Sequence, residues 1–452
     1  MRRQVRETRL VMFDPQVLAL LMLAAFFGML MVGIPVAISI ATVGFVFGYL
    51  GFGPVLFNLL PSRLYGVVTG YYWLAIPLFV FMGVMLEKSR LADDLLDVIG
   101  HLAGGLRGGM AVGIIIFGVL MGATTGIVGA TVITLGLLTL PTLIRRGYNK
   151  SIACGAICAS GTLGQIIPPS LVLILLSDIT QQSVGTLFAA AVGPGVLLAG
   201  IYLGFVLILG WLRPELMPVM PKSERDEVSR RELIVRFFKV VVPPIFLVVA
   251  VLGSIIGGIA APTEAACMGA LGSILITAAS GRLKWVVLKN VARETTKITA
   301  MIMFILMMAQ VFALAFRGLQ GEELIQSLFE FLPGGVNSDI WFMLLLIFVL
   351  GFFIEWIEIS YIAVPLFLPI LLAQGVDPVW IAMLITINLQ SSFLTPPFGW
   401  ALFYLKGVAP PGVSIGDIYK GVIPFVLLQL LALVIVFFYP QIALWLPRAI
   451  GW

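Results

Sequence analysis

Charged residues are scarce in this sequence, and their scarcity decides the class of protein. Of its 452 residues, 11% are Asp, Glu, Lys or Arg and 60% are hydrophobic, with a mean hydropathy of +1.11. In soluble domains about a quarter of the residues are charged. Apolar stretches of about 20 residues recur along the whole length, which leaves no room for a soluble domain. The composition predicts an all-α protein that crosses a lipid bilayer many times.

Cysteine and histidine are nearly absent, which argues against several kinds of chemistry. Cys154, Cys158 and Cys267 all lie in apolar runs, so we expect neither disulfides nor a metal site. The single histidine, His101, stands beside a charged loop. An intramembrane hydrolase needs a nucleophile–base pair or a metal set, so we expect no enzyme. The net charge is +5, and the basic residues are concentrated in particular loops, as orientation in a membrane requires. We therefore expect no nucleic-acid partner.

Two pairs of adjacent prolines interrupt segments that are long enough to span a membrane. Pro168-Pro169 lies within 27 uncharged residues (151–177), and Pro396-Pro397 lies within another 27 (379–405). Proline removes a backbone donor and clashes with the preceding helical turn. We therefore predict two transmembrane helices that are each broken or unwound at a Pro-Pro pair.

The spacing of proline and glycine residues repeats along the chain, which indicates an internal duplication. A shift of 228 residues places Pro141 on Pro369 and Gly147 on Gly375, and it superposes the two proline pairs; Pro35 matches Pro262 at a shift of 227. The predicted organisation is an N-terminal basic segment (1–15), a first repeat (16–212), a cytoplasmic linker (213–240) and a second repeat (241–446).

The distribution of Lys and Arg predicts that the two repeats have opposite orientations. Residues 213–239 contain seven Lys and Arg and residues 145–150 contain three, whereas residues 373–378, the counterpart of 145–150, contain none. Cytoplasmic loops carry the excess of positive charge. Equivalent loops therefore fall on opposite faces of the membrane, and the two repeats have inverted topology.

Each repeat also contains an apolar segment that enters and leaves on one side. About 36 residues separate loops of the same predicted side, which fits a re-entrant helical hairpin at 109–144 and another at 339–374. Irregular backbone at membrane depth must be buried in protein or line a wet cavity. Two inverted repeats, each with a hairpin and a broken helix, predict a secondary transporter with its site at the midplane of the membrane.

Polar residues cluster at the breaks and the hairpin tips. A broken helix frees carbonyl oxygens that suit Na⁺ and helix N-termini that favour anions. The alternative is that Ser and Thr bond back to their own helix while Gly permits close packing. We favour the functional interpretation because the constellation recurs at equal spacing. Its members are Thr124, Thr125, Ser160, Thr162, Gly164 and Gln165 in the first repeat, and Ser360, Asn388, Gln390, Ser392 and Thr395 in the second.

Three acidic residues stand in or near membrane segments. Intramembrane carboxylates are costly and usually functional, so Glu264, Glu355 and Glu358 are candidate coupling acids that bind cations or relay protons. The alternative is that they stand at the ends of segments, in contact with water.

Several ordered motifs resemble one family of transporters. The stretches "GATTGIVGATVITLGLLTLPTLIRRGY", "SGTLGQIIPPSL", "APTEAA" and "NLQSSFLTPPFGWALFYLKGVAPP" resemble the large membrane subunit (DctM type) of tripartite ATP-independent periplasmic (TRAP) transporters, over about residues 16–446. The second half is most similar to the branch linked with mannitol-type and chloroaromatic-acid uptake.

The resemblance implies a function and a set of partners. It implies a multi-pass protein of the bacterial inner membrane with an elevator-type, ion-transporter-like fold. Such a protein imports an organic acid by Na⁺-coupled elevator motion. The implied partners are a small membrane subunit (DctQ type) and a periplasmic substrate-binding protein (DctP type). Na⁺ is the coupling ion and no other cofactor is expected; a GxxxxGK[ST] motif, which would suggest ATP use, is absent from the sequence.

The resemblance also divides the polar constellation by role. The family's Na⁺ sites lie at hairpin tips and helix breaks, which correspond here to Thr124, Thr125, Ser160 and Gly164, and to Ser360, Asn388 and Thr395. Because "FFIEWIEIS" is bulky, backbone carbonyls are candidates to carry the second ion. The remaining candidates, for the solute, are Thr162, Gln165, Pro168, Gln390, Ser392 and Pro396.

The main alternative function is a stand-alone divalent-anion/Na⁺ symporter that works without a binding protein. Such proteins resemble this architecture and carry Ser-Asn-Thr triplets at their hairpin tips. That triplet does not occur in this sequence, so the TRAP large subunit is the favoured interpretation.

Overall fold

The computed structural model describes residues 14–89, 91–226, 228–330 and 333–452, without the side chains of residues 72, 91, 92, 125, 225, 226, 328 and 330. Within these ranges all regular secondary structure is helical, which confirms the all-α prediction. The predicted N-terminal basic segment lies outside the described residues except for Asp14 and Pro15.

The described α-helices are mostly apolar and vary from five to 34 residues in length. In chain order they are α1 (Pro15–Met31), α2 (Val36–Phe52), α3 (Val55–Val68), α4 (Ala75–Lys88), α5 (Leu91–Ala103), α6 (Gly109–Thr125), α7 (Val128–Arg145), α8 (Lys150–Thr162), α9 (Leu171–Thr180), α10 (Val184–Leu212), α11 (Lys222–Asp226), α12 (Arg230–Val240), α13 (Val242–Ile256), α14 (Pro262–Ala279), α15 (Trp285–Gly318), α16 (Gly321–Glu330), α17 (Val336–Leu350), α18 (Trp356–Ile362), α19 (Val364–Ala373), α20 (Pro378–Leu394), α21 (Trp400–Val408), α22 (Ile415–Phe438) and α23 (Gln441–Ala449). Short 3₁₀ helices occupy Tyr71–Leu74 and Leu163–Gln165.

Several helical stretches have the length and hydropathy of membrane spans. Among the described residues there are six such stretches, or seven if α18 and α19, which meet at an angle of 49°, count as one bent span. The six are Val128–Arg145, Val184–Leu212, Arg230–Ile256, Pro262–Ala279, Trp285–Gly318 and Ile415–Phe438.

The contacts divide the chain into two compact units. The first contains the described part of Met1–Trp73 together with Lys297–Asp377, and the second contains Leu74–Thr296 and Pro378–Trp452. The second hairpin (α17 to α19) therefore belongs to the first unit, whereas the first hairpin (α6 and α7) and both Pro-Pro breaks belong to the second. The proposed repeat boundaries stay a prediction, because these units follow contacts and not repeats.

Close packing of helix backbones organises the second unit. Helices α8 and α22 cross at Gly155 and Gly421, where a methyl group on Gly155 would lie 2.0 Å from the Gly421 carbonyl oxygen. Small residues let helix backbones approach in the absence of a hydrophobic driving force in lipid. This crossing joins the first broken helix to the last long helix of the chain.

The predicted linker is docked against two loops of the first repeat. The amide of Asn149 donates to the carbonyl of Leu216 at 2.9 Å, and the amide of Met220 donates to the carbonyl of Gly104 at 3.1 Å. Arg146 and Glu224 add an ion pair. The linker, which the positive-inside rule assigns to the cytoplasm, thus contacts the loops before and after the first hairpin, as an entry and exit of that hairpin on one side requires.

The α8–α22 crossing generates a stability prediction. Gly155→Ala would force a Cβ into the backbone of Gly421, and such overpacking costs about 1–3 kcal/mol. Gly200→Ala in α10 is the matched control, since its Cβ meets no atom within 4 Å. We expect a lower thermal midpoint in detergent, measured by the loss of monodisperse protein, for Gly155→Ala alone. Equal midpoints for the two variants would contradict the crossing.

Candidate functional site

Both Pro-Pro pairs break a helix, as predicted. The first helix runs through α8, passes into the 3₁₀ turn Leu163–Gln165, and resumes only at α9. The second ends with α20 at Leu394 and resumes at α21. The Pro168-Pro169 and Pro396-Pro397 peptide bonds are both cis. Each break therefore interposes about five non-helical residues within an otherwise continuous apolar segment.

Local hydrogen bonds close each break. In the first, the Ser170 hydroxyl donates to the Gln165 carbonyl at 2.5 Å. In the second, the Gly399 amide donates to the Thr395 carbonyl at 2.9 Å. The Tyr419 hydroxyl of α22 donates to the Pro397 carbonyl at 2.8 Å. These bonds satisfy some of the backbone groups that proline leaves unpaired, as burial requires.

The first hairpin lies along the first broken helix on a row of glycines. A methyl group on Gly118 would lie 2.5 Å from the Ser160 carbonyl oxygen, and one on Gly122 would lie 2.6 Å from the Gly164 Cα. Glycines four residues apart share one face of a helix. Helix α6 thus runs in backbone contact with α8 and the 3₁₀ turn, and it leads the hairpin tip to the break.

The tip of the first hairpin meets the Pro-Pro break. Helix α6 is capped at its C-terminus by Gly126, whose φ of +60° lies in the left-handed region that glycine adopts without strain. A Cβ there would lie 3.4 Å from the Leu171 amide nitrogen and 3.7 Å from the Pro169 carbonyl oxygen. The tip therefore packs on the start of α9, where the first amides of a helix lack intrahelical partners.

The hydroxyl groups of the constellation bond to their own helices. Thr124, Ser160 and Thr395 each donate to a carbonyl three or four residues earlier, over 2.6–2.9 Å. The same pattern holds for Thr162, Ser360 and Ser392. This is the local bonding of the alternative interpretation. It is compatible with cation binding, because a hydroxyl whose hydrogen is engaged keeps oxygen lone pairs for an ion. The side chain of Thr125 lies outside the described residues.

The polar side chains of the two breaks meet in the second unit. The Gln390 amide nitrogen donates to the Thr162 hydroxyl oxygen at 3.3 Å, and both residues are fully buried. Gln165 is also fully buried, and neither atom of its amide has a hydrogen-bond partner among the described residues. Asn388 lies two residues before Gln390 and is 2% exposed. The structure thus brings together candidates from both repeats.

The two breaks differ in their exposure. Gly164 and Pro168 are buried in the first break. In the second break Pro396 is partly exposed, and Phe398 is 48% exposed. Segments that are equivalent in sequence therefore have different access to their surroundings.

The candidates of the second hairpin belong to the first unit. Ser360 and Glu358 lie in α18 and are buried, and the Glu358 Oε2 atom has no hydrogen-bond partner among the described residues. Glu355 stands at the N-terminal end of the same helix. The unwound stretch at the tip, Gly351 to Glu355, is longer than the tip of the first hairpin. The assignment of these residues to an ion or to coupling stays a prediction.

Glu264 has a structural role in the described chain. Its carboxylate accepts the backbone amide of Ala261 at 2.9 Å, and the side chain is exposed at the start of α14. A carboxylate at this position satisfies a free amide and interacts favourably with the helix dipole. The geometry agrees with the water-exposed alternative, while a coupling role for Glu264 stays untested.

Sequence analysis missed two residues beside the candidate site. Gln429 of α22 donates its amide hydrogen to the same Thr162 hydroxyl at 3.3 Å, and the buried Tyr202 of α10 lies next to Gln429 and Thr162. The available signal was a lone polar residue within an apolar transmembrane run, which is costly and often functional.

These features define a class of protein. A helical membrane fold whose two halves each carry a hairpin and a broken helix is that of a secondary transporter, which builds its site from discontinuous helices. The model of the tripartite ATP-independent periplasmic transporter family, DctM component, matches residues 23–442. The chain belongs to this family, which confirms the resemblance. It is a multi-pass membrane protein, and a location in the inner membrane is consistent with membership of this family.

Individual proteins agree with this assignment. The C4-dicarboxylate TRAP transporter large permease protein DctM of Pseudomonas aeruginosa is 31% identical over 408 residues, which cover 88% of this chain and 92% of that protein. The ectoine TRAP transporter large permease protein TeaC of Halomonas elongata is 28% identical, covering 94% and 98% of the two chains. Both relatives are large permease proteins of TRAP transporters.

A solved structure supports the fold at greater distance. The MtrF protein of Neisseria gonorrhoeae, described as an antimetabolite efflux pump, matches with a TM-score of 0.62 and 15% identity, over 98% of this chain and 97% of that one. At this identity the likeness concerns the fold alone, and it agrees with the transporter fold expected from the sequence.

The contact between hairpin and break generates a prediction. Gly122→Ala would place a Cβ 2.6 Å from the Gly164 Cα, which only a shift of backbone could relieve. We expect the displaced tip to destabilise the transport-competent conformation by about 1.4 kcal/mol or more. Solute uptake per inserted protein should then fall at least about tenfold.

Gly113→Ala is the matched control on the same helix, because its nearest neighbour, Ile99 Cγ2, lies at an ordinary 3.4 Å. Uptake is measured in proteoliposomes after normalisation to the inserted protein. Uptake by Gly122→Ala equal to that of the control would show that the tip and the break need not touch.

Proposed function

We propose that this chain is the permease of a Na⁺-coupled TRAP transporter, which imports an organic acid delivered by a periplasmic binding protein. The observation that carries the proposal is the pair of Pro-Pro-broken helices joined at Thr162 and Gln390, the first of which packs against a hairpin tip. Family membership supports the coarser part of this statement, and the finer part rests on the chemistry of the site.

Neutral oxygen atoms around the first break support Na⁺ as the coupling ion. The candidate ligands Thr124 and Ser160 offer hydroxyl oxygens whose hydrogens are engaged within their helices, and the non-helical residues of the break offer carbonyls. Hard, uncharged oxygens suit a hard monovalent cation that must be released in every cycle. The charge of the ion is then offset by the anionic solute.

An acidic solute is supported by the same geometry. Helices α9 and α21 both begin at a break, and helix N-termini attract carboxylates. The buried amide of Gln165, which lacks partners among the described residues, offers hydrogen-bond donors near the start of α9. The name of the Pseudomonas relative, a C4-dicarboxylate transporter, agrees with a carboxylate-type solute.

The elevator motion and the two partners complete the proposal. Both breaks and the first hairpin belong to one compact unit, so the candidate clusters that they carry can move as a body. The unequal exposure of the two breaks is what one end state of an alternating-access cycle would have. A tripartite transporter has two further components, which we assign here to a DctQ-type small membrane subunit and a DctP-type binding protein.

Reconstitution tests the proposed function directly. The chain and its small subunit are placed in proteoliposomes, and the cognate binding protein and an inward Na⁺ gradient are added or omitted in turn. We expect uptake of a carboxylate solute only when both are present. Uptake by this chain alone would favour the stand-alone divalent-anion/Na⁺ symporter and would overturn the partner assignments.

Restoring a continuous helix at the first break should abolish transport. Pro168→Ala combined with Pro169→Ala returns two backbone donors and removes the steric bar to helix formation. We expect normal insertion and loss of at least about 90% of the uptake, which is about tenfold or 1.4 kcal/mol. Pro61→Ala is the control, since Pro61 is an exposed proline inside α3. Wild-type uptake in the double variant would disprove that the break is the site.

A further inference from the structure

Four buried polar side chains meet where four helices of the second unit converge. They come from both broken helices (Thr162 and Gln390) and from the long helices α10 and α22 (Tyr202 and Gln429), and each is 0% exposed. Buried polar groups at membrane depth are costly, so their convergence calls for a specific role.

The Thr162 hydroxyl is the centre of this polar cluster. It donates its one hydrogen to the Ala159 carbonyl at 2.9 Å, and it accepts the side-chain amides of Gln390 and Gln429, each at 3.3 Å. A hydroxyl has one donor and two lone pairs, so Thr162 is fully engaged. One atom thereby joins α8, α20 and α22.

Two pairs within the cluster match the predicted internal repeat. Thr162 and Gln390 are 228 residues apart, which is the shift that superposes the two proline pairs. Tyr202 and Gln429 are 227 residues apart, the shift that relates Pro35 to Pro262. Equivalent positions of the two predicted repeats therefore contact each other at Thr162 and Gln390.

Gln429 contacts Thr162 from α22, a helix that contains neither break. Tyr202 stacks edge-to-face on Phe425, one turn from Gln429 on α22, with ring centroids 5.3 Å apart. Its hydroxyl lies next to Gln429 and Thr162 without forming a hydrogen bond to a described residue. The glycine crossing of α8 and α22 at Gly155 and Gly421 holds the two helices in contact, so the Gln429 amide reaches Thr162 from a rigid support.

We propose that Gln429 is a positioning residue, which fixes the register of the two broken helices through Thr162. The proposal rests on the proposed Na⁺-coupled function, because its consequence concerns the ion site. Ser160 and Gly164 flank Thr162, and Asn388 lies two residues before Gln390. The bond from Gln429 therefore holds these candidate ion ligands of the second unit in one geometry without touching ion or solute.

Removing the Gln429 amide should weaken Na⁺ activation selectively. In Gln429→Met, which keeps the length of the side chain and loses the amide, the half-saturating Na⁺ concentration should rise about threefold to tenfold, the equivalent of one buried hydrogen bond. The solute KM at saturating Na⁺ should change less than twofold, because at saturating Na⁺ the ligand geometry is restored. A general packing defect would lower the maximal rate and leave the Na⁺ dependence unchanged.

Two further variants show whether Gln429 acts through Thr162. Since Thr162→Val removes the shared acceptor, adding Gln429→Met to it should produce no additional shift in Na⁺ dependence. Leu427→Met on the same helix, where Leu427 is 60% exposed, is the control and should match the wild type. If Gln429→Met does not insert, Gln429→Asn, whose amide stops one methylene short of Thr162, replaces it with the same expectation.

The outcomes separate this inference from the proposed function. Wild-type uptake that needs Na⁺, together with an unchanged Na⁺ dependence in the Gln429 variant, would overturn the inference alone. If the wild type shows no Na⁺-dependent uptake, the proposed function fails. The thermal midpoints of Thr162→Val, Gln429→Met and the double variant in detergent then decide whether the bond exists. Additive losses would overturn it, and a double loss smaller than the sum would support it.

Discussion

An unpaired backbone group is costly inside a bilayer, and the surroundings of both proline pairs follow from that cost. The Pro168-Pro169 pair interrupts the backbone hydrogen bonding between α8 and α9. The Ser170 hydroxyl donates a hydrogen bond across the resulting loop to the Gln165 carbonyl. The first hairpin covers the same region, with Gly126 against the backbone at the start of α9. A side chain at Gly118 or Gly122 would separate the two backbones, so the contact with the first broken helix requires glycine at these positions of the hairpin.

The same close packing limits the chemistry that the site can use. The residues in backbone contact with Gly118 and Gly122 are Ser160 and Gly164, which offer carbonyls and a short hydroxyl side chain. Among the described residues, no group of three or more His, Cys, Asp or Glu could hold a metal ion. Carbonyl and hydroxyl ligands hold a monovalent cation without neutralising it. In the proposed function, an anion at the adjacent helix N-termini would supply the opposite charge, and each ligand would favour the binding of the other. The proposed coupling of ion and solute rests on this mutual stabilisation of charge.

The breaks and hairpins could be predicted from the sequence because proline and glycine act on their own backbone. Pro168, Pro396 and Gly126 stand where the structure interrupts its helices. Gln429 could not be placed, because its contact with Thr162 spans 267 residues and depends on the crossing angle of α8 and α22. The sequence also could not predict to which compact unit the second hairpin belongs. That assignment depends on contacts between distant segments and not on the repeat pattern.

Symmetry in sequence does not impose equal environments on the two breaks. The first is enclosed, whereas the second exposes Phe398 and part of Pro396. In the proposed alternating-access cycle, the two breaks would exchange these environments between the end states. To carry the candidate ligands of both breaks together, the two broken helices would have to stay joined while their surroundings change. The Thr162 hydroxyl, which accepts the side-chain amides of Gln390 and Gln429, is the contact that would join them in both states.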